Sequence, residues 1–247
     1  MTSHIPFLIG HRGACGHAPE NTLASIRKAA ELGLRWVEFD AMLSADDHII
    51  LFHDDALKRI TGCDGLVAET SFDDLRTLDA GSRYSAACAG EKIPTLVEAL
   101  AVLEIHQLGA VVEIKPTEGR GVETGIRVSK AVRDLWPGTL ARPIISSFNE
   151  DSLAQARDHA PEIPRALNLY KNLDDWQDKL VTYDCVALHC LDTLVDKAVV
   201  AAITGAGYDL RCFTVNDSDR ARELRSWGVC SVFTDVPDRL ESGLASN

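Results

Sequence analysis

Short apolar runs alternate with amphipathic stretches along most of the chain. Strand-like runs fall at residues 7–10, 35–40, 110–115, 143–147, 164–169, 185–189, 209–214 and 231–234. A ninth run at 49–53 follows the second so closely, across Asp46-Asp47, that the two read as a hairpin. Helical periodicity fills the intervals. In the clearest interval, residues 22–32, Leu23, Ile26 and Ala30 share one face, Asn21 or Thr22 stands where a cap belongs, and Gly33 follows the end. Further helices are predicted to start near Leu96, Val122, Asp151, Asp174, Thr193, Ser218 and Pro237. Eight strands alternating with helices predict an α/β fold, a TIM-type (β/α)8 barrel, with a doubly wound open sheet as the alternative.

The rhythm breaks once. Residues 54–94 are polar and Gly/Ala-rich, with a short helix predicted at 72–78 and little strand pattern. This stretch reads as a small insertion after the second strand, of the kind that serves barrels as a lid or a subunit contact. No repeat, low-complexity tract or linker interrupts the 247 residues, so residues 1–247 read as one barrel domain.

Composition narrows the classes. With 46% hydrophobic and 25% charged residues the chain is an ordinary globular one, not a disordered one. Twenty-five Lys and Arg against 37 Asp and Glu give a net charge of −12, which repels nucleic acid and anionic membranes. An anionic substrate therefore needs a local cation. Seven cysteines, an odd number with no C-x-x-C pair, speak against a zinc ribbon and suit a reducing compartment. Residues 1–10 lack a basic signal-like start, and no apolar run reaches about 18 residues. A cytoplasmic protein without stable membrane association is expected. A homodimer is compatible with the sequence.

Common nucleotide and serine-hydrolase motifs are missing: there is no Walker A run, no G-x-G-x-x-G and no G-x-S-x-G. What stands out are polar residues at strand ends: His11-Arg12, Glu38 and Asp40, His53-Asp54, Glu113 and Lys115. Glu38 and Asp40 are two apart, as are Glu113 and Lys115, so each pair points to one face of its strand. Three carboxylates and a lysine thus converge if those faces line the barrel mouth. Three such carboxylates in a partly dry pocket require protonation or a cation, and an all-oxygen set favours one hard divalent ion, Mg²⁺ or Ca²⁺. A hard cation beside Arg12 and Lys115 is a phosphate site, and two imidazoles at the same rim supply an acid and a base. The combination points to metal-assisted cleavage of a small-molecule phosphodiester. His17 and His189 are candidates to border the site; His4, His48, His106 and His159 read as surface residues.

The ordered set His11-Arg12-Gly13, Pro19-Glu20-Asn21-Thr22, Glu38-Phe39-Asp40, His53-Asp54 and Glu113-Ile114-Lys115 resembles the glycerophosphodiester phosphodiesterase family. Ser147-Phe148, Thr214-Val215-Asn216 and Thr234-Asp235-Val236-Pro237 extend the resemblance from about Phe7 to Pro237. It implies a TIM-type barrel with an insertion after its second strand. It also implies hydrolysis of deacylated phospholipids, such as glycerophosphocholine or glycerophosphoethanolamine, to sn-glycerol 3-phosphate and an alcohol. By resemblance, Glu38, Asp40 and Glu113 hold the metal, and His11 and His53 are the general acid and base in unassigned order. Arg12 and Lys115 hold phosphate. Glu20 and Asn21 stand in the first loop near the substrate, Glu20 as a further ligand or an orienter. Phe213 takes the place of a tryptophan that lines the glycerol side in many members. The nucleophile is the glycerol 2-hydroxyl or water. A lipid-directed phosphodiesterase on the same barrel and a non-enzymatic phosphodiester sensor are the rival readings.

Overall fold

A computed structural model describes residues 5–245. Eight parallel strands close into a barrel: β1 (Leu8–Gly10), β2 (Trp36–Leu43), then, past a hairpin strand β3 (Ile49–Leu51), β4 (Gly109–Ile114), β5 (Ile144–Ser147), β6 (Arg165–Leu169), β7 (Ala187–Leu191), β8 (Asp209–Phe213) and β9 (Ser231–Thr234). The parallel pairings run in that order, and β1 closes the ring against both β2 and β9. β3 lies outside the ring, antiparallel to the far end of β2, with Ala41 opposite Leu51. The TIM-type barrel and the hairpin both match the sequence reading.

The helices are α1 (Leu23–Glu31), α2 (Lys58–Thr61), α3 (Phe72–Leu75), α4 (Leu96–His106), α5 (Gly121–Leu135), α6 (Glu150–His159), α7 (Trp176–Thr182), α8 (Lys197–Gly205), α9 (Ser218–Trp227) and α10 (Pro237–Ala245). Local chemistry sets their starts. Thr22 caps α1 by accepting from the Ser25 N–H, and Thr95 and Glu98 form a reciprocal capping box on α4.

Some boundaries differ from expectation for visible reasons. α8 begins at Lys197, not near Thr193, because Asp196 accepts from the Val199 N–H at 2.8 Å while residues 192–194 form a separate short turn. β7 sits two residues later than the expected 185–189. The Cys185 N–H bonds the Leu180 carbonyl at 2.8 Å, which finishes the turn after α7 and postpones the strand. α3 covers Phe72–Leu75, shorter than the expected 72–78.

Strand period divides the interior. On β2, Val37, Phe39 and Ala41 join the layer packed under α1 and α4, while Trp36 points into the barrel. Ile9, Trp36, Val111, Ile144, Ala166, Ala187 and Phe233 form an apolar plug in the barrel interior. Polar side chains occupy the inward positions further along the strands, and a cavity opens at their C-terminal ends, where barrels of this kind carry their sites. The segment between β3 and α4 has a small core of its own, in which Leu57, Val67, Leu75, Ala80 and Ile93 pack on Met42, Ile50 and Phe52. Among the described residues no helix is long and apolar enough to cross a membrane. His4 lies outside the described residues.

Candidate active site

The cavity has a volume of about 650 Å³. His11, Arg12, Glu38, Asp40, His53, Glu113, Lys115 and Phe213 all line it, although they come from five separate stretches of chain. His189, from the interior of β7 and almost fully buried, lines it too. His17 does not line the cavity; it pairs with Asp238 at 2.7 Å. His48 is exposed and stacks on Phe72, whereas His106 and His159, read as surface residues, are half-buried.

The first loop owes its shape to two left-handed residues, Arg12 at φ 48° and Asn21 at φ 55°. The Asn21 N–H bonds the Arg12 carbonyl at 3.2 Å, so the two bends support each other. Gly13, at φ 87°, is required by space as well, since a Cβ there would stand 2.6 Å from the Ser25 backbone carbon. This turn aims the Arg12 N–H at Glu38 Oε2, 2.9 Å away.

Glu38, Asp40 and Glu113 offer carboxylate oxygens that lie within 4.8 Å of one another, and all three side chains are buried. A neutral donor fixes each through one oxygen: the Arg12 N–H on Glu38, Asn21 Nδ2 on Asp40 at 2.8 Å, and Asn168 Nδ2 on Glu113 at 3.0 Å. Such partners orient the carboxylates without neutralising them. Burial and the neighbouring Asp40 push Glu113 up to about 7, and burial with the same crowding raises Glu38 well above the ordinary range. Burial would raise Asp40 too, but Lys115, Arg12 and His53 outweigh it and hold it low. Oxygen donors packed together at this cost suit a hard divalent cation, so the residues present fit one.

Two cations flank the trio. Lys115 Nζ stands 3.2 Å from Glu113 and 3.5 Å from Asp40, and over the Phe148 ring. Arg12 Nε is 3.5 Å from Asp40 and is a buried donor without a hydrogen-bond partner. Each rim imidazole is backed by a carboxylate on Nδ1: His11 by Asp235 and His53 by Asp54, both at 2.7 Å. Asp235 also accepts from Asn216 Nδ2 at 2.7 Å and from the Cys15 thiol at 2.8 Å. Burial, with Arg12 and Lys115 nearby, lowers His53 in spite of Asp40.

Two residues expected against the substrate stand elsewhere. Glu20 and Asn21 do not line the cavity. Glu20 is outside the carboxylate cluster, because its oxygens are taken by Arg12 at 2.7 Å and by Arg59 at 2.6 and 2.8 Å. Of the two roles expected for it, further ligand or orienter, its contacts are those of an orienter of Arg12. Asn21 is an orienter as well, holding Asp40.

Reading the sequence missed Asn168, Ser146, Tyr170 and Arg59. Asn168 was within reach: it is a polar residue at an inward position of a strand, the same period-two signal that exposed Glu38 and Asp40. Arg59 carries no such signal.

A family model for the glycerophosphoryl diester phosphodiesterase family matches residues 11–239. A glycerophosphodiester phosphodiesterase of Caldanaerobacter subterraneus is 30% identical over 235 residues, covering 94% of this chain and 95% of its own. A solved Oleispira antarctica phosphodiesterase, in complex with the product sn-glycerol-3-phosphate, is 40% identical with a TM-score of 0.94, each chain covered to 98%. A glycerophosphodiester phosphodiesterase from Agrobacterium tumefaciens is 25% identical with a TM-score of 0.81, covering 96% of this chain and 99% of that one. Similarity that runs from the first strand to the last helix, in sequence and in backbone alike, leaves one conclusion: the chain belongs to the glycerophosphoryl diester phosphodiesterase family of phosphoric diester hydrolases.

Proposed function

We propose that the protein hydrolyses glycerophosphodiesters such as glycerophosphocholine or glycerophosphoethanolamine to sn-glycerol 3-phosphate and an alcohol. The observation that carries this reading is the gathering, in one cavity, of three buried carboxylates, two cations and two carboxylate-backed imidazoles. The product held by the Oleispira neighbour supports the same substrate class.

Glu38, Asp40 and Glu113 would hold one divalent cation, Mg²⁺ or Ca²⁺, whose charge would offset that of the phosphoryl oxygens. Arg12 and Lys115 grip the phosphate and meet the charge that grows on its oxygens in the transition state. One of His11 and His53 accepts the proton of the attacking hydroxyl, from water or from the glycerol C2; attack by the C2 hydroxyl gives a cyclic phosphate first, which water then opens to glycerol 3-phosphate. The other protonates the leaving alkoxide as its P–O bond breaks. Asp235 and Asp54 hold the two rings so that each Nε2 is the working nitrogen. Phe213, set edge-to-face on Phe148, forms an apolar wall of the cavity that suits the carbon side of the glycerol.

The whole chain, residues 1–247, acts as one unit, the insertion included. All seven cysteines are free thiols, which supports a reducing, cytoplasmic setting. The test is a coupled assay for glycerol 3-phosphate release from a panel of glycerophosphodiesters, with and without chelator. Turnover that chelator abolishes and Mg²⁺ or Ca²⁺ restores is expected. No release from any member of the panel would overturn the proposed substrate class.

A further inference from the structure

One side chain of the insertion ties together two carboxylates that support the site. Arg59, on α2, donates from Nε to Asp54 Oδ2 at 2.6 Å and from Nη2 to Asp54 Oδ1 at 2.8 Å. The same guanidinium donates to both oxygens of Glu20, at 2.6 and 2.8 Å. Asp54 is the carboxylate that backs His53, and Glu20 is the carboxylate that holds Arg12. A continuous chain of charge-assisted bonds therefore runs from His53 through Asp54, Arg59 and Glu20 to Arg12. It joins a rim imidazole to a phosphate-facing guanidinium across two loops that are 39 residues apart at Glu20 and Arg59.

The backbone under Arg59 is itself fixed. Leu57 is sunk in the small core of the insertion, the Thr61 N–H bonds the Leu57 carbonyl at 3.0 Å, and Arg83 Nε bonds the Arg59 carbonyl at 2.9 Å. Only a planar fork can serve two carboxylates in this way; an ammonium on the same stem is a single point charge. Arg59 lies at the edge of the solvent, and exposed ion pairs add little to stability, so its geometry points to activity and not to folding.

We infer that Arg59 is a positioning residue for this enzyme, and that the insertion exists in part to present it, setting His53 and Arg12 in register with each other. The inference rests on the proposed roles of His53 and Arg12. Arg59 does not line the cavity itself and acts through Asp54 and Glu20.

The experiment compares wild type, Arg59→Ala, Arg59→Lys, Asp54→Asn and the Arg59→Ala/Asp54→Asn double variant by kcat, KM and Tm. Arg76→Ala, which loses an exposed pair with Glu98 and a contact over the Phe72 ring, both among residues that do not line the cavity, is the control. Displacing catalytic groups by about an ångström can cost about 10²-fold, so kcat of Arg59→Ala is expected to fall about 10- to 100-fold while Tm stays near wild type. Arg59→Lys recovers part of the loss, and free guanidine restores part of the kcat of Arg59→Ala. The double variant loses less than the product of the two single losses, because both break the same chain. Arg59→Ala with kcat and KM within about twofold of wild type overturns the inference. So does a fall in kcat that scales with a drop in Tm and does not respond to guanidine. A wild-type protein that releases no glycerol 3-phosphate overturns the proposed function instead, before any variant is compared.

Discussion

Adding a divalent cation should stabilise this protein, and should do so more strongly as pH rises. Glu113 titrates near about 7 in the folded protein and near 4.5 when unfolded. Between those values the folded state holds a proton that the unfolded chain has released. Stability is therefore fully present below 4.5 and is lost as pH rises through about 7, by up to about 3 kcal/mol for this one group. Glu38, also raised, acts in the same direction. Asp40, held low, acts in the opposite sense but only in the acid range below its ordinary value. A bound cation reverses the balance, since it favours the ionised trio and binds more tightly as the protons leave. At about 100-fold excess over its Kd the ion contributes about 2.7 kcal/mol. For a chain of this size that is a rise in Tm of about 5–10 °C. The assay is thermal unfolding between about pH 5 and about pH 8 in chelator, in Mg²⁺ and in Ca²⁺, with calorimetry in two buffers to count the protons released on binding. Equal Tm values with and without each cation across the whole range would refute the reasoning, as would binding without proton release near pH 7.

Other outcomes follow from the same geometry. His11→Ala and His53→Ala should each lower kcat at least about 10²-fold with the fold intact by circular dichroism; near-wild-type turnover in both would remove the acid–base pair. Asp235→Asn keeps the shape but replaces the carboxylate behind His11, and kcat should fall about 10²-fold with little change in KM, a split that steady-state kinetics resolves. Phe213→Ala should raise KM for glycerophosphodiesters severalfold while kcat holds within about threefold, because the ring contributes packing and no proton transfer.

The barrel was legible because its code is local. The central parallel strands are buried on both faces, helices alternate with them, and that alternation is written in consecutive residues. Boundaries slipped where a hydrogen bond from outside the window decided them, as when the Leu180 carbonyl captured the Cys185 N–H and delayed β7. The carboxylate trio was legible as well. A spacing of two puts Glu38 and Asp40 on one face of β2, and polar residues on the inward face of a buried strand have few other purposes.

What the chain alone determined, then, is the set of strands, the residues that face inward, and through them the chemistry the cavity can perform. What the folded molecule decided is which charges meet. Asp235 lies 224 residues from His11, and Arg59 lies 39 from Glu20, and no periodicity links such positions. Closing the barrel brings β9 against β1 and carries Asp235 to His11, while the insertion folds back to set Arg59 between Asp54 and Glu20. Glu20 itself marks the boundary between the two kinds of information. In sequence it reads equally as a further ligand or as an orienter; in space two guanidinium groups take its oxygens, and it holds Arg12.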